Sequence, residues 1–142
     1  MFRRIDDQFW AAPQIGVADV EQAARDGVVL IVNNRPDGED PAADQGDAIA
    51  AAAEAAGVAY LAIPIDHGGF SAGKVQAMAD AMAAHPGLVL GYCRSGTRST
   101  NLWALARAST GADPDLLIAQ AANAGYDLSA LRPTLAALSA RG

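Results

Sequence analysis

Position 93 holds the sequence's single cysteine, in the run Gly91-Tyr92-Cys93-Arg94-Ser95-Gly96-Thr97-Arg98-Ser99. A thiolate is a strong nucleophile, and it forms most readily where positive charge or oriented N–H groups surround the sulfur. The residues after Cys93 can supply both. Ser95, Gly96 and Thr97 are small, and a loop of such residues can turn successive backbone N–H groups inward as an anion nest. A helix starting near Arg98 adds the positive end of its dipole. Arg98 itself brings a fixed charge and a planar fork suited to bidentate binding of an oxyanion. Ser99 is positioned to donate a hydrogen bond to the sulfur. Arg94 either reaches outward toward substrate or is simply solvated. Cys93 is therefore read as the nucleophile of a small enzyme acting on a tetrahedral oxyanion, or on a sulfur carried by one. The competing reading is a buried cysteine that packs as a small hydrophobe. That reading gives no reason for arginines at 94 and 98 with a glycine between them.

The elements that must position this loop can be read from the hydrophobic pattern. Val28 to Val32 is a continuous apolar run of strand length, as expected for a strand covered on both faces. Val58 to Ile63 and Gly87 to Tyr92 read as further strands, and Phe9 to Ile15 as a short strand or an extended lead-in. Helices are expected over Val17–Asp26, Asp44–Ala56, Ser71–His85 and from Arg98 to about Ala108. Asp113 and Pro114 read as N-cap and first residue of another helix. A last helical segment is expected from Ser129 to Ala140, with Pro133 in its first turn. Strands alternating with helices predict an α/β fold with a mainly parallel central sheet flanked by helices. Cys93 then sits at the carboxyl end of a strand, where open α/β sheets bind ligands. Asn33, Asn34 and Arg35 end the strand that begins at Val28 and share that edge. Arg35 is read as a second contact to the anion, or else these residues cap a turn. Methionine and leucine stripes, together with Trp10 and Trp103, are read as packing residues.

Length and composition bound the remaining possibilities. The sequence has 142 residues, which suits a single domain over 1–142. A net charge of −6 argues against nucleic acid or an anionic membrane as partner of the chain as a whole, while leaving room for a local basic pocket. No apolar run reaches the length of a membrane span, and Met1 to Asp7 has no apolar stretch of the kind a signal peptide carries. A lone cysteine allows no internal disulfide, which fits a reducing cytoplasm. His67 and His85 are too few and too far apart for a zinc site. No cofactor is expected.

Two stretches resemble known families. Tyr60 to about Ala108 resembles the dual-specificity branch of the protein tyrosine phosphatases. Tyr60-Leu61-Ala62-Ile63-Pro64-Ile65-Asp66 looks like their general-acid segment, and Cys93…Gly96…Arg98-Ser99 like their phosphate-binding signature. Nearly the whole chain resembles the phosphatase-like domain of beta-lactamase-hydrolase-like proteins. That match includes Ala12-Pro13-Gln14-Ile15, Asn33-Asn34-Arg35-Pro36-Asp37-Gly38-Glu39 and the Cys93 loop. The resemblance implies a phosphatase-type fold and no metal, since the metal centre belongs to the lactamase-like half. Members of that family are labelled either phosphatase-like or sulfur transferase. In one respect the loop departs from the phosphatases: they place five residues between cysteine and arginine, whereas only Arg94, Ser95, Gly96 and Thr97 intervene here. Tyr92 also stands where they carry a histidine. Tyr-Cys-Arg-Ser-Gly-Thr-Arg-Ser looks equally like a rhodanese-type loop.

Two mechanisms therefore share one nucleophile. In the first, a small anionic or phosphorylated substrate is attacked by Cys93, with the loop N–H groups and Arg98 holding the oxyanion and Asp66 protonating the leaving group. Asp66 has a plainer reading as an exposed loop aspartate beside the Gly68-Gly69 turn. In the second, Cys93 takes a sulfane sulfur from a donor and passes it to an acceptor thiol, and Asp66 is incidental. A third reading, a thiol redox or sulfide sensor, would need a partner thiol because the chain has no second cysteine.

Overall fold

The computed structural model describes residues 1–142. Its centre is a five-stranded sheet in the order β1-β2-β5-β3-β4, formed by β1 (Arg3–Arg4), β2 (Phe9–Ala12), β5 (Leu88–Tyr92), β3 (Val28–Asn33) and β4 (Ala59–Ala62). β2, β5, β3 and β4 run parallel, and β1 alone is antiparallel, on β2. The apolar run read as a doubly covered strand is β3. Leu30 and Val32 face one core layer and Ile31 the other, in keeping with the two-residue period of a strand. β5 divides in the same way between Val89 and Leu90.

α1 (Val17–Arg25) and α2 (Gly46–Ala56) cover one face through Val20, Ala23, Ile49 and Ala53. The other face carries α3 (Ala72–Ala84), α4 (Thr97–Ser109), α5 (Pro114–Asn123) and α6 (Arg132–Arg141), which bury Met78, Trp103, Leu117 and Leu135 among their core residues. Trp103 stacks on Phe9 with ring centroids 5.7 Å apart. No helix is long and apolar enough to cross a membrane.

The expected α/β architecture is present, with local differences. The lead-in is a true strand over Phe9–Ala12. β1 has no counterpart in the pattern, because two exposed arginines show no hydrophobic period. The last helical segment is broken: Ser129–Leu131 form a 3₁₀ turn and α6 begins only at Arg132. Pro133 explains the break, since it lacks the N–H that would continue the ladder back into Ser129–Leu131.

Strand register decides where the loops emerge. Ala12 and Asn33 both pair with Tyr92, and Ala62 pairs with Asn33. Four parallel strands thus end at one level, and the loops that leave them meet at one edge.

Candidate active site

Asn34 ties those loops together. Its backbone N–H donates to Tyr92 O (2.9 Å), its carbonyl accepts from the Ile65 N–H (2.9 Å), and its Nδ2 donates to Ile63 O (2.9 Å). The side chain is fully buried. Asn34, read from sequence as lying on the Cys93 edge or else as part of a turn cap, is thus the joint between the β3, β4 and β5 exits.

Cys93 is completely buried, and its N–H donates to Ala12 O at 3.3 Å. The Gly96 N–H donates to its Sγ at 3.1 Å. The next three carbonyls all have partners outside the ring they enclose. Arg94 O accepts from the Gln14 N–H (3.4 Å) and Ser95 O from the Tyr126 hydroxyl (3.0 Å). Gly96 O accepts from the N–H and hydroxyl of Thr100 (3.0 and 2.8 Å). The N–H groups of Arg94, Ser95, Arg98 and Ser99 have no partner in the protein. Two of these belong to the first turn of α4, where N–H groups have no intrahelical acceptor. The carbonyls from Arg94 to Gly96 are thus bonded elsewhere, the Gly96 N–H faces the sulfur, and four further N–H groups of the loop are left without a protein acceptor, which are the ingredients of an anion nest.

Arg98 is held by three hydrogen bonds. Nη1 donates to Glu39 Oε2 (2.8 Å) and to Ile65 O (2.9 Å), and Nη2 donates to Glu39 Oε1 (2.8 Å). Glu39 also accepts from Arg35 Nε at 2.9 Å, and Arg35 Nη1 donates to Gln14 Oε1 at 3.0 Å. The bonds from Arg98, reinforced by those from Arg35 against the effect of burial, hold the Glu39 carboxyl down at about 2. In return Glu39 raises the pKa of Arg98, and the nearby Cys93 charge adds to it. Arg35 is therefore linked to Arg98 through a shared carboxylate, Glu39, to which the sequence pattern assigns no role.

Arg94 is exposed and lines a polar cleft with Arg35, Glu39, Asp40 and Arg98. Ser95 and Thr97 bond to each other through their hydroxyls (3.0 Å) and shape the turn into α4. Ser99 is fully buried, but its hydroxyl has no partner, so the expected bond to sulfur is absent and the Gly96 N–H is the sulfur's donor. Asp66 lies with His67, Ile65, Pro36, Glu39 and Arg98 on an adjoining cleft. The Gly68 N–H (2.8 Å) and the Lys74 ammonium (3.9 Å) hold its exposed carboxyl below the usual carboxylate range. The Tyr92 ring packs in the layer under α1 and α2, away from the loop, and burial raises its pKa. Nowhere do three His, Cys, Asp or Glu side chains gather as a metal would require.

A family model described as "Beta-lactamase hydrolase-like protein, phosphatase-like domain" matches residues 1–110. A beta-lactamase hydrolase-like protein of Xylella fastidiosa is 42% identical over 88 residues, which is 62% of this chain and 20% of that protein. One from Agrobacterium fabrum is 33% identical over 108 residues, 76% of this chain and 25% of that protein. The chain thus spans a quarter or less of the curated relatives it matches. Among solved structures, a Neisseria meningitidis protein provisionally described as a phosphatase superposes with a TM-score of 0.81 at 31% identity, covering 96% of each chain. Human DUSP28 superposes with a TM-score of 0.70 at 20% identity, covering 98% of this chain and 93% of its own. Tk-PTP gives 0.72 at 18% identity, covering 99% and 97%. At those identities the last two establish a shared fold, that of the protein tyrosine and dual-specificity phosphatases.

Proposed function

The chain belongs to the phosphatase-like domain family of beta-lactamase hydrolase-like proteins, and from that premise we propose that it hydrolyses a small phosphoester through Cys93. The observation that carries this reading is the orientation of the loop. Every carbonyl from Arg94 to Gly96 is engaged by a donor elsewhere in the protein, the Gly96 N–H donates to the sulfur, and four further loop N–H groups are unpartnered. An inward carbonyl would repel a phosphoryl oxygen; inward N–H groups stabilise the charge that its equatorial oxygens carry in the transition state.

In the proposed reaction the Cys93 thiolate attacks phosphorus, forming an S–P bond as the ester P–O bond breaks. The departing oxygen takes its proton from Asp66. Water then attacks phosphorus and gives a proton to the Asp66 carboxylate. The S–P bond breaks, and inorganic phosphate leaves with the thiolate restored. Because Gly68 and Lys74 keep the Asp66 carboxyl low, it is protonated only in acid. Turnover that depends on it therefore falls as pH rises.

A second reading, sulfur transfer through a Cys93 persulfide, is favoured by one observation: only four residues separate Cys93 from Arg98, as in a rhodanese-type loop. Incubation with an aryl phosphate, and separately with thiosulfate and cyanide, distinguishes the two. Phosphoester hydrolysis predicts turnover of the aryl phosphate, a trapped phosphocysteine by mass spectrometry, and a loss of at least about a thousandfold in Cys93→Ser. Asp66→Asn should slow an alkyl ester more than a nitrophenyl ester, whose leaving group needs little protonation. Thiocyanate formation with a persulfide adduct, and no phosphate release, would replace the first reading by the second.

A further inference from the structure

The Ser95–Gly96 peptide connects Tyr126 to the sulfur. A trans peptide carries its C=O and N–H on opposite sides of one rigid plane. On one side Ser95 O accepts from the Tyr126 hydroxyl at 3.0 Å; on the other the Gly96 N–H donates to Cys93 Sγ at 3.1 Å. Gly96 has φ 93° and ψ −8°, close to the third residue of a type II turn. Rotating that peptide by half a turn gives the type I form, with φ near −90° at the same residue. A glycine adopts both at little cost. In the rotated form the Ser95 carbonyl would face the thiolate and the N–H would be lost to it. Gly96 therefore makes the loop reversible, and something else must select the productive side.

Tyr126 is built to do so. It comes just after α5, with its N–H bound to Ala121 O at 2.9 Å, and it is 6% exposed. The guanidinium of Arg3 lies 5.2 Å from its ring centroid and also donates to Ala124 O at 3.2 Å. A Cβ at position 96 would lie 2.2 Å from the Tyr126 oxygen, so the ring sits directly beneath the turn. Burial, opposed by Arg3 and aided by the Cys93 charge, raises its hydroxyl above the ordinary tyrosine value, so it remains a donor in neutral solution. The family model ends at residue 110, before Tyr126.

We propose that Tyr126 is a positioning residue for the Cys93 loop: its hydroxyl holds the Ser95–Gly96 peptide with the N–H facing the sulfur. This rests on Cys93 being the reacting thiol, as in the function proposed above. The main test, however, reads the thiol without any turnover, so the two ideas can fail separately. The experiment compares wild type with Tyr126→Phe, which keeps the ring under Gly96 and removes one oxygen. The rate of Cys93 alkylation by iodoacetamide is measured against pH. Losing a hydrogen bond to the charged form moves the midpoint of that profile upward, here by about half a unit or more. On an aryl phosphate kcat should fall about tenfold with KM within about threefold, as for a donor aimed at the reacting atoms. A Tyr126→Phe alkylation profile that superimposes on wild type overturns the proposal, whatever happens to turnover. Should Tyr126→Phe not fold, Arg3→Ala loosens the same ring and leaves its hydroxyl in place. A smaller upward shift then supports the proposal, and an unmoved midpoint overturns it.

Discussion

A guanidinium has five N–H donors, and Glu39 and Ile65 engage three of those on Arg98. The Nε–H and one Nη2–H remain, on the edge of the fork next to the one Glu39 holds. Glu39 thus fixes one edge of the fork and leaves the other with two donors for the oxyanion of the proposed reaction. Glu39→Gln should lower kcat about tenfold, the equivalent of one charge-assisted hydrogen bond, and steady-state rates on an aryl phosphate check it. The same contact makes stability depend on pH. Glu39 has a folded value of about 2 against an ordinary 4.5. A depressed carboxyl contributes stability that is complete above 4.5 and disappears as pH falls through 2. Thermal midpoints between those limits should therefore fall less steeply in Glu39→Gln than in wild type. Cys93 and Arg98 stand out in the sequence because the chemistry proposed for them is written in one short run. Glu39 and Tyr126 do not: they lie 59 and 31 residues from their partners at Arg98 and Ser95, and only the folded chain brings them there.

At the scale of elements, the aim of α4 decides whether its first turn faces the sulfur. Its line of approach runs over Gly91 in β5. A Cβ at that position would lie 2.9 Å from Phe9 Cζ and 3.2 Å from Ser99 Cβ. The missing side chain lets α4 pass close enough for Trp103 to stack on Phe9. Gly91→Ala forces these layers apart, and overpacking of that kind costs about 1–3 kcal/mol. Urea unfolding should show that loss. Aryl phosphate turnover should fall with it, because Ser99 and Arg98 move with the helix. The elements themselves were mostly visible beforehand. The β3 and β5 runs carry the continuous apolar signature of strands buried on both faces, and Asp113 caps α5 through the Asp115 N–H as its type predicts. The missed pieces are those without a period: the Arg3–Arg4 strand, fixed by its pairing to Ala11 and Trp10, and the Ser129–Leu131 turn ahead of α6. At Gly91 the residue type is plain in the chain, but the helix that crosses it is not.

Across the whole molecule, formal charge is −6, yet Arg35, Arg94 and Arg98 gather at one polar cleft. Glu39 and Asp40 line the same cleft, so the arginines outnumber the carboxylates there by one, in contrast to the acidic balance of the whole chain, and that local excess favours small anions at this mouth over the rest of the surface. What holds that mouth in shape extends beyond the residues the family model matches, which end at 110. Leu117, Ala121, Leu128 and Leu135 are buried in the same core as Trp103, Leu102 and Phe9. The α5–α6 segment therefore supports α4 from behind, and its Tyr126 reaches the loop in front. If that packing is part of the core, Leu135→Ala, at a fully buried position, should cost about 2–5 kcal/mol, the range for a leucine truncated to alanine in a closed interior. Leu116→Ala, whose side chain is 54% exposed one residue before buried Leu117, should cost far less. Urea midpoints of the two variants decide the matter. Equal, small losses would mean that the C-terminal helices merely rest on a core able to stand without them. A large loss in Leu135→Ala alone would mean that the support behind the Cys93 loop is continuous from β2 to α6.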